Sequence, residues 1–587
     1  MVCFLASSTA WTALIAFALS IHAQNILPST QASLFPLREN ERTPDLFPMP
    51  PCGSFKLEEA TIDDMQQAMS QGSLSSVQLT LCYMQRIYQL QSYTNSLLQF
   101  NPDVLQIASS LDAERKAGHV RSPLHGIPFT VKDNIASKDN METTAGSWTL
   151  LGSIVPRDAH VVRQLREKGA VLLGKATLSE WADMRSSNYS EGYSARGGQV
   201  RSAYNFTVNP GGSSSGSAVA VGSNAIPFSV GTETDGSIIN PAMRNAVVGF
   251  KPSVGLTSRA GVVPESEHQD SVGTFARTVR DAVYALDAIY DPDSNDNYTS
   301  AQKGHTPDGG YAQYLTNKSS LANATFGIPW NSFWVYADEE QLATLLAIVD
   351  LIASAGATII NETEILDYET IVSPNGWDWD FGTTRGFPNE SEFTVVKVDF
   401  YNNIATYLSE LTNTDIHNLS DIVQYNYNND GTEGGNPWPQ GNPAFWSGQD
   451  AFLASLETGG VQDETYFQAL EFTQTKCKNG IDHALTAYSD SPLSGLLVPP
   501  QVGQSYQIAA QAQYPVITVP AGYHDREGDH GMPYGLALIQ TMWAEAELVR
   551  WGSAIENLIN TEGQALGVGR RRPRWLGYKE RNVPVPF

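Results

Sequence analysis

The chain has 587 residues, 41% of them apolar and 17% charged, the composition of an ordinary soluble globular protein. Its net charge of −26 argues against nucleic-acid binding, which relies on a basic surface. By length alone it would hold several average domains.

At the N-terminus, Trp11 to Ser20 is an apolar run, with Ile21 beyond and His22-Ala23-Gln24 following. This predicts a signal peptide over residues 1–23, cut after Ala23, although no lysine or arginine precedes it. A membrane anchor would need about 18 clean apolar residues, and Ser7, Ser8, Thr9 and Thr12 shorten the run. No later segment is long and apolar enough to span, so no membrane span is expected after cleavage. Residues 24–55 are Pro-rich without periodicity and read as an extended leader wrapping the body. From Thr61 to Gln91 apolar residues recur at helical spacing.

The next blocks carry chemistry. HGIPFTVKDNI places Lys132 at the end of the short apolar run Ile127 to Val131, which predicts a buried strand. GGSSSGSAVAV holds Ser213. Gly/Ser stretches are usually linkers, but this one runs straight into AVAVG, which reads as a packed helix. GTETDGSIINPA sets Ser237 at a strand-to-helix turn, where sites of α/β proteins commonly lie. An unassisted serine hydroxyl is a poor nucleophile and needs a base within hydrogen-bond reach. Lysine serves as that base only if its surroundings bring its pKa down from about 10.4. Ser–Lys devices of this kind perform acyl transfer, so the residues point to a serine hydrolase of amide bonds.

Other readings compete. Gly212 to Gly216 matches G-x-S-x-G, the nucleophile elbow, with Ser214 as nucleophile. The elbow needs a strand before it, and RSAYNFTVNP ends in proline and reads as loop. His125 and His268 read as structural histidines. HExxH is absent, no His/Cys/Asp/Glu group has zinc spacing, and His524 and His530 sit in a polar loop, so no metal or cofactor is expected. The basic run Arg570 to Arg574 reads as a solvated C-terminal segment.

Residues from about 290 to 495 are rich in Asn, Asp, Tyr and Trp, with loop-like stretches. Trp377, Trp379, Phe381, Tyr425 and Trp446 either line a substrate pocket or pack this region's own core. Glycosylation sequons begin at Asn297, Asn317, Asn323, Asn361, Asn389 and Asn418, with two more at Asn188 and Asn205. With the signal peptide they predict a secreted, extracellular glycoprotein. Cys52, Cys82 and Cys477 remain in the mature chain, which predicts one disulfide and one free thiol without choosing the pair.

Taken together, the lysine block, GGSSSGS and TDGSI resemble the amidase signature family in order and spacing. GFKPSVGLTSRAGVVP, the run from His268 to Thr278, YPVITVPAGY and GMPYGLALIQ extend the likeness over roughly Leu57 to Tyr578. METTAGSW, SEWADMRSS and YSARGGQ resemble its branch of single-chain plant, fungal and bacterial members, and with the N-terminal pattern the chain reads as a secreted member of that branch. The resemblance implies an α/β fold with a large mixed β-sheet covered by helices on both faces. It implies one domain over residues 56–580, with a catalytic core at about 120–285 and 496–560 and a pocket-forming insertion at about 290–495. It implies a Ser-Ser-Lys triad of Ser237 as nucleophile, Ser213 as proton shuttle after a cis peptide bond, and Lys132 as base. The oxyanion hole would be the N–H groups of Thr234, Asp235, Gly236 and Ser237. The partner would be a small-molecule amide substrate. The chain departs from the common GTDTGGSIR at Glu233, Asp235 and Ile239, and has Ser215 where glycine is frequent. Two alternatives share the scaffold: a subunit like the glutamyl-tRNA amidotransferase A subunit, and a non-catalytic secreted binding protein.

Overall fold

The apolar runs of the sequence become the strands of one sheet. The computed structural model describes residues 46–433, 444–526, 528–580 and 585. The predicted signal peptide and most of the leader lie outside these residues. In chain order the strands are β1 (Leu97–Phe100), β2 (Pro128–Lys132), β3 (Val171–Ala176), β4 (Tyr193–Ser194), β5 (Gly198–Gln199) and β6 (Phe228–Glu233). There follow β7 (Val248–Lys251), β8 (Ser271–Ala276), β9 (Thr325–Ile328), β10 (Thr358–Asn361), β11 (Gly495–Val498), β12 (Val516–Tyr523) and β13 (Pro533–Ile539).

Eleven of them form a single sheet in the order β1-β3-β2-β6-β8-β7-β12-β13-β11-β9-β10, and β4 with β5 makes a small separate ribbon. The sheet is mixed. β2 runs parallel to both β3 and β6, whereas β6, β8, β7, β12 and β13 alternate in direction. Every residue of β2, β3 and β6 is buried. Strands covered on both faces tend to read as continuous apolar runs, as Val171 to Leu173 of β3 does. In β2 and β6 the buried Thr130 and Ser229 instead satisfy each other, Thr130 Oγ1 donating to Ser229 Oγ at 2.8 Å. β9 and β10 fall within residues 290–495, so the segment read as an insertion lengthens the same sheet besides supplying helices.

The helical stretch expected from Thr61 to Gln91 is two helices, Ile62–Ser70 and Ser76–Thr94. Thr61 with Asp64 and Ser75 with Gln78 each form a capping box, which satisfies N–H groups left over at a helix start. Cys52 and Cys82 form the disulfide, tying the end of the leader to the second helix, and Cys477 is free and buried. Among the described residues no helix is long and apolar enough to cross a membrane.

Candidate active site

β2 and β6 are parallel neighbours paired from Phe129↔Phe228 to Val131↔Val230. Their carboxyl ends therefore open at the same edge of the sheet, and Lys132 stands beside Thr232. Lys132 is fully buried. Its Nζ donates to Ser213 Oγ at 2.7 Å and to Thr232 Oγ1 at 2.9 Å, and lies 3.3 Å from the Thr232 carbonyl. Asn134 Nδ2 donates to the same Thr232 hydroxyl at 2.9 Å. Burial lowers the Lys132 pKa from 10.5 to about 8, while the carboxyl groups of Glu265, Asp183, Asp270 and Glu191 oppose that shift.

Ser213 sits on the loop before the helix Ser215–Gly222, all of whose residues are small or aliphatic and buried against the sheet. The loop is pinned on both sides. Ser179 N–H donates to the Ser213 carbonyl at 3.0 Å, and Ser214 N–H donates to the Ser237 carbonyl at 3.2 Å. The Gly212–Ser213 peptide is cis. A Cβ at Gly212 would fall 1.7 Å from Glu191 Oε1, so only glycine allows this approach. From here Ser213 Oγ donates to Ser237 Oγ at 2.8 Å.

After β6 the chain turns through residues 234–238 into the short helix Ile239–Met243. Glu233 fixes this turn, accepting from the N–H groups of Ile238 at 2.7 Å and Ile239 at 2.9 Å. The carboxylate replaces the missing partners of a helix start. Gly236 has φ +83°, and a Cβ there would meet the Tyr506 ring at 2.5 Å. Thr234, Asp235, Gly236 and Ser237 all line a cavity of about 100 Å³, in which Ser237 is 5% exposed. The three residues Lys132, Ser213 and Ser237, distant in sequence, thus stand in one unbroken hydrogen-bonded line ending at the cavity.

Ser214, the elbow alternative, turns away. Its hydroxyl donates to the Thr232 carbonyl at 3.0 Å, and no strand precedes it. His125 has Nε2 3.0 Å from the Leu111 carbonyl, and His268 is held between the hydroxyls of Tyr298 and Tyr466 at 2.7 and 3.1 Å. Both serve structure. Of the five aromatic residues named in the sequence, Trp377 and Trp379 line the cavity and Phe381, Tyr425 and Trp446 do not. Phe381 instead stacks under the Arg385 guanidinium, 4.7 Å from its centroid.

Several neighbours were not singled out from the sequence. Asp183, Glu191, Glu265 and Glu392 line the cavity with Tyr189 and Tyr506. Glu392, first residue of the helix Glu392–Ser409, accepts from the side-chain amides of Gln269, Gln507 and Gln511 at 2.7–2.9 Å. Asp235, which stands where glycine is common, takes the Trp377 indole N–H at 2.5 Å. Burial and the adjacent Glu392 push the Asp235 carboxyl well above the usual range, and burial raises Glu392 to about 7. This is the expected result for two carboxyl groups that meet out of water.

Against known proteins, the amidase family pattern matches residues 78–430. A Schizosaccharomyces pombe protein that carries an amidase name is 55% identical over 549 residues, spanning 92% of this chain and 91% of its own. An Arabidopsis thaliana protein with the same kind of name is 38% identical over 506 residues, spanning 86% of this chain and 90% of its own. Among solved structures, the native peptide amidase of Stenotrophomonas maltophilia is 33% identical and superposes with a TM-score of 0.74, covering 88% of this chain and 99% of that one.

Proposed function

The chain belongs to the amidase family and is an amide hydrolase, and from that premise we propose that it works as a secreted amidase through an acyl-enzyme on Ser237. The observation that carries the reading is the line Lys132 Nζ, Ser213 Oγ, Ser237 Oγ, with steps of 2.7 and 2.8 Å. In the resting arrangement the hydrogens point from the lysine toward Ser237. Once Lys132 is neutral the direction reverses: Ser237 donates to Ser213, and Ser213 donates to Nζ. Ser237 Oγ then attacks the amide carbonyl as its proton passes along the relay.

The oxygen of the tetrahedral intermediate meets the N–H groups of residues 234–237, at the mouth of the helix Ile239–Met243. Removing one such donor in other enzymes costs about 3 kcal/mol of transition-state stabilisation. The ammonium of Lys132 returns its proton through Ser213 to the departing nitrogen, which leaves as the amine or ammonia. Water, deprotonated by the same relay, releases the acid and restores Ser237. The intact lysine and serines count against a binding protein without catalysis.

Secretion rests on the N-terminal pattern and the sequons. Asn297, Asn317, Asn323, Asn361 and Asn418 are exposed and Asn389 is half-buried, as glycan acceptors need to be. Asn205, buried with its side-chain amide on the His530 carbonyl, fits an unused sequon. Secreted protein should begin at Gln24 and lose mass on deglycosylation.

The test of the catalytic reading is labelling by a fluorophosphonate probe. Wild type should label, Ser237→Ala should not, and Ser213→Ala and Lys132→Ala should label slowly. Persistent labelling of Ser237→Ala would place the nucleophile elsewhere.

A further inference from the structure

The cavity above Ser237 carries more carboxyl groups than hydrolysis needs. Asp183, Glu191, Glu265, Asp235 and Glu392 line it, and no lysine or arginine does. Arg244 comes near Glu191 from behind but gives its guanidinium to the Asn209 carbonyl and Asp529. Four of the five acids have hydrogen-bond partners within the protein. Glu191 accepts from the Ser179 hydroxyl and the Gly192 N–H, Asp235 from Trp377, and Glu392 from its glutamines.

Glu265 is the exception, and Asp183 is only partly satisfied. Glu265 is 7% exposed and forms no ion pair among the described residues. The hydroxyl beside it belongs to Thr234, whose single proton goes to Asp270 at 2.6 Å. The Asp183 carboxyl is hydrogen-bonded by the Tyr189 hydroxyl, but its Oδ1 has no partner. A buried acceptor without a donor is costly to leave so, and both residues line the cavity. At the rim, the Trp377 and Trp379 rings lie 5.4 Å apart, tilted by 43°. Aromatic faces of this kind attract a cation within about 6 Å.

We propose that the amide hydrolysed here carries a positive charge, an ammonium or guanidinium group that seats against Glu265 and Asp183 while its scissile carbonyl meets Ser237. The proposal rests on the reading of Ser237 as the nucleophile. It also gives the acids a part in the proton relay. Glu265 and Asp183 hold Lys132 toward its charged form, against burial. Burial raises both carboxyl groups well above the usual range; a bound cation opposes that rise, and its own charge favours the neutral lysine that the first step requires. A cationic substrate would help to activate its own base.

Two substrate pairs test this on the wild-type enzyme: N-acetylputrescine against N-pentylacetamide, and Nα-acetylargininamide against Nα-acetylcitrullinamide. Each pair differs in charge and little in shape, one carrying it on the leaving amine and the other on the acyl side. In at least one pair kcat/KM should favour the cation by tenfold or more, and the preference should shrink as salt is raised. The acid limb of kcat should lie at lower pH for the cationic member. Glu265→Gln and Asp183→Asn should each reduce the preference ratio severalfold, and either variant serves if the other fails to fold. Ratios at or below one in both pairs, or a ratio that survives both substitutions, would overturn the proposal. In that event labelling at Ser237 would leave the nucleophile standing, whereas loss of labelling would remove both readings.

Discussion

Lys132 Nζ and Ser213 Oγ face each other at 2.7 Å at the edge of a sheet from which solvent is excluded, and Thr232 holds the lysine from the other side at 2.9 Å. A lysine so placed is a base only when it has lost its proton. Burial brings its pKa down to about 8, so the neutral form gains population on the alkaline side of neutrality. We predict that kcat/KM for a neutral amide rises with pH through about 8 and levels above it. A profile that falls over that range would contradict the assignment of the base.

Thr232 touches neither substrate nor nucleophile, yet it positions both Lys132 and Asn134 through one hydroxyl. Thr232→Val keeps the shape and removes that anchor. Loss of a buried hydrogen bond costs about 1–3 kcal/mol, so kcat should fall about tenfold or more with KM little changed. Steady-state kinetics on the variant check this, and Thr232→Ser should restore most of the rate.

Arg185 ties the catalytic region to the segment above it. Its guanidinium pairs with Glu180 and with Glu433 at 3.2 Å, all three side chains at most 1% exposed, and it lies 3.9 Å from the Phe445 ring centroid. Glu433 also accepts from the Trp148 N–H at 2.7 Å and the Ser147 hydroxyl at 3.0 Å. Arg185→Met would strand two buried carboxylates, at a cost of about 3–5 kcal/mol. The exposed pair Arg157–Glu410 should by contrast contribute no more than about 1 kcal/mol. Denaturant unfolding of both variants separates the two cases.

Stability should decline as pH rises from acid toward alkaline conditions. Burial raises Asp281, Asp399 and Glu392 to about 7 and Glu556 to about 8. In the unfolded chain such groups titrate near about 3.9–4.3. The folded state therefore holds more protons in between, and its advantage, complete below the unfolded values, is lost as pH climbs through the folded ones. Lys132, Lys175 and Lys251, each lowered to about 8 by burial, act oppositely only above that pH. A melting temperature higher at about pH 5 than at about pH 7.5 is the expected result, and a rise over that interval would contradict it.

Lys132, Ser213 and Ser237 were legible because each sits in a short block whose composition is unusual and whose neighbours impose a strand end or a turn. The strands β2 and β3 were legible for a related reason, since burial on both faces leaves short, mainly apolar runs in Ile127 to Val131 and Val171 to Leu173, while β6 carries Ser229, Thr232 and Glu233 among its buried residues. The acidic lining was not. Asp183, Glu265 and Glu392 are separated by as many as 209 residues and look locally like ordinary solvated carboxylates. Only the pairing of β6 with its neighbours, and the helix that begins at Glu392, bring them over one serine. β9 and β10, four residues each, lie in a region whose Asn, Asp and aromatic content masks any alternation.

The most direct test is to find where the acyl group rests. Wild-type enzyme mixed with an activated acyl ester, quenched in acid within the first turnover and digested, should carry the acyl mass on the peptide containing Ser237. Lys132→Ala should accumulate that adduct more slowly. An acyl group found on Ser213 or Ser214, or amide turnover that continues in Ser237→Ala, would contradict the account.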